Sequence, residues 1–393
     1  MKTHKSIHPF PARMAPEIAF HTLSNFKAPS TVLDPMVGSG TVLRIANSLG
    51  HHTIGFDMDP LAVLMSKVWV TPIQIEELLN ETEQVVKEAK LLSMDDINLN
   101  WIDSDTETSE FINFWFGSKQ IDDLRRISYL LHKRNDSLGD ALKIALSRII
   151  ITKENGATLA RDVSHSRPHR VKTESDYDVI TGFINSVKKL SKSILSSETN
   201  NQIQSVVVSR TDARQLPLEN NSVDYVLTSP PYLNAIDYLR GHKLALVWLG
   251  YKISELRSIR SSLVGAEKKL SLTEYKHIDE LLTQVTDFDA ISNRMKGIMR
   301  RYVFDMRSII AETARVLHNN SLATFIVGNC NVKGSFFNTA RLIELISEEN
   351  NFRLVENIER PLNPSRRYLP PPRNQLGSLN KRMSSESIIT ITK

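Results

Sequence analysis

The chain has 393 residues, 41% hydrophobic and 24% charged, a balance that suits a soluble globular protein of one large or two ordinary domains. Lysine and arginine number 49 against 44 acids, and the resulting charge of +5, with a pI near 9.1, favours a polyanionic partner. The single cysteine, Cys330, excludes an internal disulfide framework and a multi-cysteine zinc site; with no secretory pattern and no apolar run long enough to cross a bilayer, a cytoplasmic protein without a membrane partner is expected.

Residues 31–56 read as one βαβ unit: a short apolar run in "TVLDPMVGSG", a helically spaced "TVLRIANSLG" closed by Gly50, and a second short run in "HTIGFD". Between strand and helix the chain turns through Gly38, Ser39 and Gly40, entering the helix near Thr41. Two glycines let backbone approach a ligand closely, and a helix N-terminus offers unpaired N–H groups. A ligand-free tight turn would look the same, but Asp57 ends the next strand, where an acid can bind both ribose hydroxyls of an adenosine. Asp34, before the turn, would repel a pyrophosphate and attract a cationic amino group. A P-loop is absent, and the missing third glycine weakens a nicotinamide reading. Ribose, adenine and an ammonium occur together in S-adenosylmethionine.

From about Ile75 to Asn200 the spacing is helical with no clear strand signal, which predicts a mainly helical insertion. Strands return at "QSVVVSRTDA" and "SVDYVLTSPP"; a charged helical stretch, 252–315, then precedes a buried strand at "SLATFIVGNC". A helix at "NTARLIELISEENN", the run "FRLVENIER", a proline-rich basic loop to Arg382 and "ESIITITK" close the chain. Alternation on this scale predicts an α/β fold: an open, doubly wound, mostly parallel sheet with insertions at its ligand-bearing rim.

The strand ending Val226, Leu227 runs into Ser229, Pro230, Pro231 and Tyr232. Prolines fix φ and carry no N–H, so the carbonyl groups of Ser229 and Pro230 can face outward beside an aromatic ring. Acceptors next to a stacking face suit the exocyclic amino group of a planar base. A Pro-Pro turn that merely ends a strand is the structural alternative, and its pairing with the glycine turn and Asp57 argues against it.

"DPMVGSGT" resembles the cofactor motif, and "TSPPY" the catalytic motif, of the S-adenosylmethionine-dependent DNA amino-methyltransferases that make N4-methylcytosine or N6-methyladenine. "HKSIHPFPARMAPEIAF" resembles the N-terminal segment that helps enclose the methionine end of the cofactor, and "TDARQLP" places Asp212 at the usual adenine-contacting position. The resemblance covers residues 4–74 and about 205–393, and implies the class I S-adenosylmethionine methyltransferase fold. It implies a catalytic part at 1–74 and 201–393, with 75–200 a candidate target-recognition or DNA-clamping region and 252–315 a second helical insertion. Implied cofactor contacts are His8, Pro11, Asp34, Pro35, Met36, Gly38, Ser39, Gly40, Thr41, Asp57, Met58, Asp212 and Ala213. Serine at 229, where many adenine enzymes have Asp or Asn, resembles the cytosine-N4 branch. Met36 departs from the common phenylalanine, and the insertion fits no usual motif order.

The implied reaction is in-line displacement at the sulfonium methyl with no covalent enzyme intermediate; C5-methylation would need a catalytic thiolate, and Cys330 reads as a buried strand-end residue. Double-stranded DNA with the target base flipped out is the implied partner, together with a cognate restriction endonuclease unless the enzyme acts alone. Asn234, Asp237 and Tyr238 are placed to shape the base pocket, Arg240 and Lys243 to contact backbone beside it. In the basic loop, Arg366, Arg367, Tyr368 and Arg373 suit phosphate contacts, and "SRPHRVK" and "RMKGIMRRYVFDMR" are shorter basic clusters. Adenine-N6 methylation, RNA or tRNA base methylation, a catalytically silent nucleic-acid-binding scaffold and a nicotinamide oxidoreductase are the alternatives.

Overall fold

Consecutive side chains on a strand point to opposite faces, so runs in which every residue is apolar need cover on both sides. Val32 and Leu33, and Tyr225, Val226 and Leu227, are such runs, and all five are buried. The computed structural model describes residues 6–9, 13–153, 155–161, 168–195, 204–233, 237–264, 272–332, 335–362 and 385–393.

The chain first forms α1 (Pro16–Leu23), β1 (Thr31–Asp34), α2 (Thr41–Ser48), β2 (His52–Asp57) and α3 (Pro60–Val70). It continues through α4 (Ile75–Leu91), α5 (Asn100–Asp103), α6 (Thr106–Trp115), α7 (Ser118–His132) and α8 (Ser137–Ile150). A small ribbon of β3 (Ala160–Arg161) and β4 (His169–Arg170) precedes α9 (Val179–Leu195). The sheet resumes with β5 (Val206–Arg210) and β6 (Val223–Thr228), followed by α10 (Tyr238–Leu246), α11 (Ile253–Ser262), α12 (Leu272–Thr283) and α13 (Asn293–Val316). The last elements are β7 (Leu317–Gly328), β8 (Cys330–Val332), β9 (Ser335–Phe337), α14 (Thr339–Glu349), β10 (Arg353–Pro361) and β11 (Ser385–Thr392).

Seven strands make one sheet in the order β10–β11–β7–β6–β1–β2–β5. β1, β2, β5, β6 and β7 pair in parallel, whereas β11 runs antiparallel to both β7 and β10. This is the doubly wound, mostly parallel sheet expected from the sequence. Because the chain builds outward from β1 through β2 to β5 and then returns to β6, the strand order reverses between β1 and β6. Ligands of open α/β sheets bind at the carboxyl ends of the strands flanking such a reversal.

One face carries α1 and α2, whose Ala19, Leu23, Val42 and Ile45 pack with Val32, Tyr225, Leu227 and Ile326. The other carries α13 and α14, where Val303, Met306, Ile310 and Ile346 share a core with Leu33, Val226, Phe325 and Ile389. The 252–315 stretch thus ends in a helix that is itself a layer on the sheet.

The helices between α3 and β5 bury Val85, Leu124, Leu142 and Phe183 in a core that also takes in Leu61, Met65 and Trp69 of α3 and Leu244 of α10. An α3 that is apolar nearly all round is what such a two-sided position demands. The ribbon β3–β4 was not expected in this helical region, since strands of two residues are too short to show an alternating pattern.

Candidate active site at the reversal of the sheet

β1 ends at Asp34, Pro35 is buried behind it, and the backbone then turns through Gly38 (φ 48°) and Gly40 (φ 78°), the residue that caps α2. A side chain at Gly40 would be strained by its φ, and a Cβ there would come within 2.8 Å of Ser66 Oγ and 3.0 Å of Ser66 Cα on α3. The turn therefore seats α2 against α3. Gly38 N donates to Asp57 Oδ2 (2.9 Å), the amide of Asp59 donates to Asp57 Oδ1 (2.9 Å), and the hydroxyls of Ser39 and Thr41 lie 3.1 Å apart.

Asp34 is 2% exposed, and among the described residues both of its hydrogen bonds, from Met36 N (3.1 Å) and Thr228 Oγ1 (2.7 Å), fall on Oδ1. Burial pushes its carboxyl up to about 7 against the pull of those bonds. Burial and the neighbouring Asp59 likewise push Asp57 up to about 6. Two desolvated carboxyls at one rim make a site short of positive charge.

His8 is 1% exposed, and neither ring nitrogen has a hydrogen-bond partner among the described residues; burial, with the nearby His242 and Arg148, holds its pKa well below the usual range. Its segment is tied to the insertion, Arg148 donating to the Ile7 carbonyl and Ser193 to that of Ser6 (3.4 Å). Met58 is partly buried just beyond β2, and Met36 packs against the core beneath the sheet. Ala213 is buried, and Asp212 accepts from Arg214, whose guanidinium also reaches the fully buried Asp305 (2.7 Å). The Asp212 carboxylate is thus held in an ion-pair network.

β6 delivers Ser229, Pro230, Pro231 and Tyr232 to the same rim, and the 2.7 Å bond from Thr228 to Asp34 ties the two motifs together. Ser229 Oγ donates to the Ile326 carbonyl of β7 (3.1 Å), so the hydroxyl has only lone pairs left to present. Tyr232 is partly buried and lies near Tyr302 of α13, whose buried phenol has no hydrogen-bond partner among the described residues and is pushed up by burial. Burial also pushes the Cys330 thiol up to about 12, which leaves it a poor nucleophile.

Downstream, Asp237 caps α10, accepting from Arg240 N (3.3 Å), and pairs with Arg240 (3.4 Å) and Arg260 (2.7 Å). Tyr238 stacks on His242, ring centroids 6.4 Å apart. The Lys243 ammonium sits 5.1 Å over the ring of Phe111, its pKa lowered chiefly by burial. Pro11, Asn234, Arg366, Arg367, Tyr368 and Arg373 lie outside the described residues.

The contact that sequence reasoning missed is a buried pair: His242 Nδ1 lies 2.5 Å from Asp59 Oδ2, while Asp59 Oδ1 caps α3 by accepting from Leu61 N (2.9 Å). A hydrogen-bonded chain thereby runs from Gly38 through Asp57 and Asp59 to α10. The "DP" before the α3 apolar run signalled the cap; nothing local signalled the histidine 183 residues away.

No family model matches the sequence. The type II methyltransferase M.MvaI of Kocuria varians is 24% identical over 99% of this chain and 90% of its own length. M.BsoBI of Geobacillus stearothermophilus is 24% identical, and M.AvaI of a Nostoc strain 23%, each over 83% of this chain and 74% of its own. The chain is thus similar, at low identity, to several type II methyltransferases. The similarity to M.MvaI extends across both the sheet and the helical region between α3 and β5.

Proposed function

We propose that the protein transfers a methyl group from S-adenosylmethionine to the exocyclic amino group of a flipped base at a specific DNA site, N4 of cytosine in preference to N6 of adenine. The observation that carries this reading is the meeting of the glycine turn, Asp57 and Ser229-Pro-Pro-Tyr232 at the reversal of the sheet, joined by the Thr228–Asp34 hydrogen bond.

The residues present fit the cofactor. On this reading Asp34, whose Oδ1 takes the bonds from Met36 and Thr228, meets the ammonium through Oδ2, Asp57 meets the ribose hydroxyls, and the positive-φ glycines of the turn let backbone approach the cofactor. His8, which has unpartnered ring nitrogens, would close the methionine end. The bound cofactor supplies an electrophilic methyl on a sulfonium.

On the target side, the Ser229 hydroxyl and the carbonyls preceding Pro230 and Pro231 offer acceptors and no competing N–H. Engaging both amino hydrogens turns the nitrogen lone pair out of the ring plane and toward the methyl, and Tyr232 supplies a stacking face for the flipped base. Catalysis then rests on positioning and on acceptors fixed before the base arrives. Serine at 229, rather than an acid or amide, supports cytosine. The reading places the enzyme in the cytoplasm and implies a restriction endonuclease that recognises the same site.

The test is incubation with labelled S-adenosylmethionine and genomic DNA or total RNA, then mass spectrometry of the digested nucleosides, with Tyr232→Ala as control. N4-methylcytosine lost in the variant is the expected result. N6-methyladenine would keep the mechanism and change the base, and label confined to RNA would overturn the DNA reading.

A further inference from the structure

We propose that the ribbon β3–β4, together with Phe114 on α6, is a docking surface for the backbone of duplex DNA beside the flipped base; this deepens, and rests on, the DNA reading above. Arg161, His169, Arg170 and Lys172 are all exposed on the ribbon, and residues 155–161 and 168–172 contain no acid. Among the described residues Arg161, Arg170 and Lys172 form no ion pair: Arg170 Nε donates to the Lys172 carbonyl (3.1 Å) and Lys172 Nζ to the neutral Asn155 (3.2 Å). Cations held in place by neutral partners keep their charge for an outside anion, and a regular polyanion is what several of them on one ribbon match.

The aromatic component favours nucleic acid over a simple anion. Phe114 is 50% exposed, with the Arg170 guanidinium 5.2 Å from its ring and Trp115 edge-on at 5.0 Å. A ring beside a guanidinium offers a sugar or unstacked base an apolar face next to a phosphate contact.

The surface is also built onto the reaction site. Leu159 N donates to the Trp115 carbonyl (2.8 Å), fixing the ribbon to the end of α6. Along α6, Thr108 Oγ1 accepts from Ile253 N (3.0 Å) and Phe111 lies under Lys243 of α10, the helix that follows the Ser-Pro-Pro-Tyr motif. The ribbon is therefore joined through α6 to α10, the helix that follows the motif.

Of the four tryptophans, Trp69, Trp101 and Trp248 are buried, so iodide quenching of the full chain reports on Trp115. Binding is followed by anisotropy of a fluorescein-labelled mixed-sequence duplex over a salt series. Expected is shielding of Trp115 from iodide by the duplex, and about tenfold weaker binding in the double variant Phe114→Ala, Arg170→Ala. Arg170→Ala alone should lower the salt slope by about one, and Arg170→Lys should restore it. Affinity for S-adenosylmethionine, read by calorimetry, should be unchanged in all three. If the wild-type chain binds the duplex but neither the shielding nor the affinity loss is seen, this surface is overturned while the proposed reaction stands. If the wild-type chain binds no duplex, both fall.

Discussion

The two carboxyls at the rim should make cofactor binding a proton-linked event. Burial places Asp34 at about 7 in the folded chain, against an ordinary 3.8. That difference corresponds to about 4 kcal/mol of native-state preference for the neutral acid. A folded pKa raised above the unfolded one contributes stability that is present below the unfolded value and lost as pH rises through the folded one. The cofactor-free protein should therefore lose stability between about pH 4 and pH 7 on account of Asp34, with Asp57, at about 6, adding in the same direction. An ammonium at Asp34 reverses the preference, because it favours the ionised form. Cofactor affinity should then fall about tenfold from pH 8 to pH 6, where about one Asp34 in ten is ionised, and binding near pH 6 should release close to one proton. Calorimetry in two buffers of different ionisation enthalpy measures both quantities, and the thermal shift given by the cofactor should grow with pH as the unliganded midpoint declines. Affinity that stays flat over this range with no proton released, or an Asp34→Asn variant that keeps the wild-type slope, would refute the placement of the ammonium.

Other substitutions probe the remaining parts of the site. Tyr232→Ala removes the stacking face and should lower methyl transfer roughly 10- to 100-fold with cofactor affinity retained; parallel loss of both in a calorimetric and a transfer assay would count against a stacking role. Gly40→Ala forces an L residue to φ 78° and a methyl to 2.8 Å from Ser66, and should cost about 2–4 kcal/mol in denaturant unfolding; unchanged stability would mean that the turn relaxes freely. His242→Ala strips Asp59 of a buried partner and should cost about 1–3 kcal/mol as well as weakening cofactor binding through Asp57, whereas His242→Asn keeps a donor on Cγ and should recover both. Equal behaviour of the two variants would show that the histidine only fills space.

The sheet and its rim were legible because their signals are local. "TVLDPMVGSGT" holds a short buried run, two glycines at positive φ and a helix start within eleven residues, and "DYVLTSPPY" is equally self-contained. The N-terminal segment was harder: His8 was placed at the cofactor by resemblance alone, and the structure shows that its anchors are Arg148 and Ser193 of the insertion. Asp212 was expected to meet adenine, yet its carboxylate also holds Arg214, which in turn satisfies Asp305 from α13. No spacing rule links residues 91 positions apart. The ribbon β3–β4 escaped for a different reason, since two residues per strand cannot display a period.

Residue type and spacing by themselves determined the first βαβ unit, the helical stretch after it, the return of strands at β5, β6 and β7, the glycine turn, the acid after β2 and the proline-stopped end of β6. These depend on φ/ψ preference and on which side chains face a core, both of which are short-range properties. Only the tertiary structure decided that β1 and β6 are neighbours, so that Asp34 and Thr228, 194 residues apart, share a hydrogen bond. It alone placed His242 on Asp59, raised the two rim carboxyls by burying them, and set the basic ribbon on the support that carries the Ser-Pro-Pro-Tyr helix. Desolvation and partner choice depend on everything that packs around a group, and that environment exists only once distant segments have met.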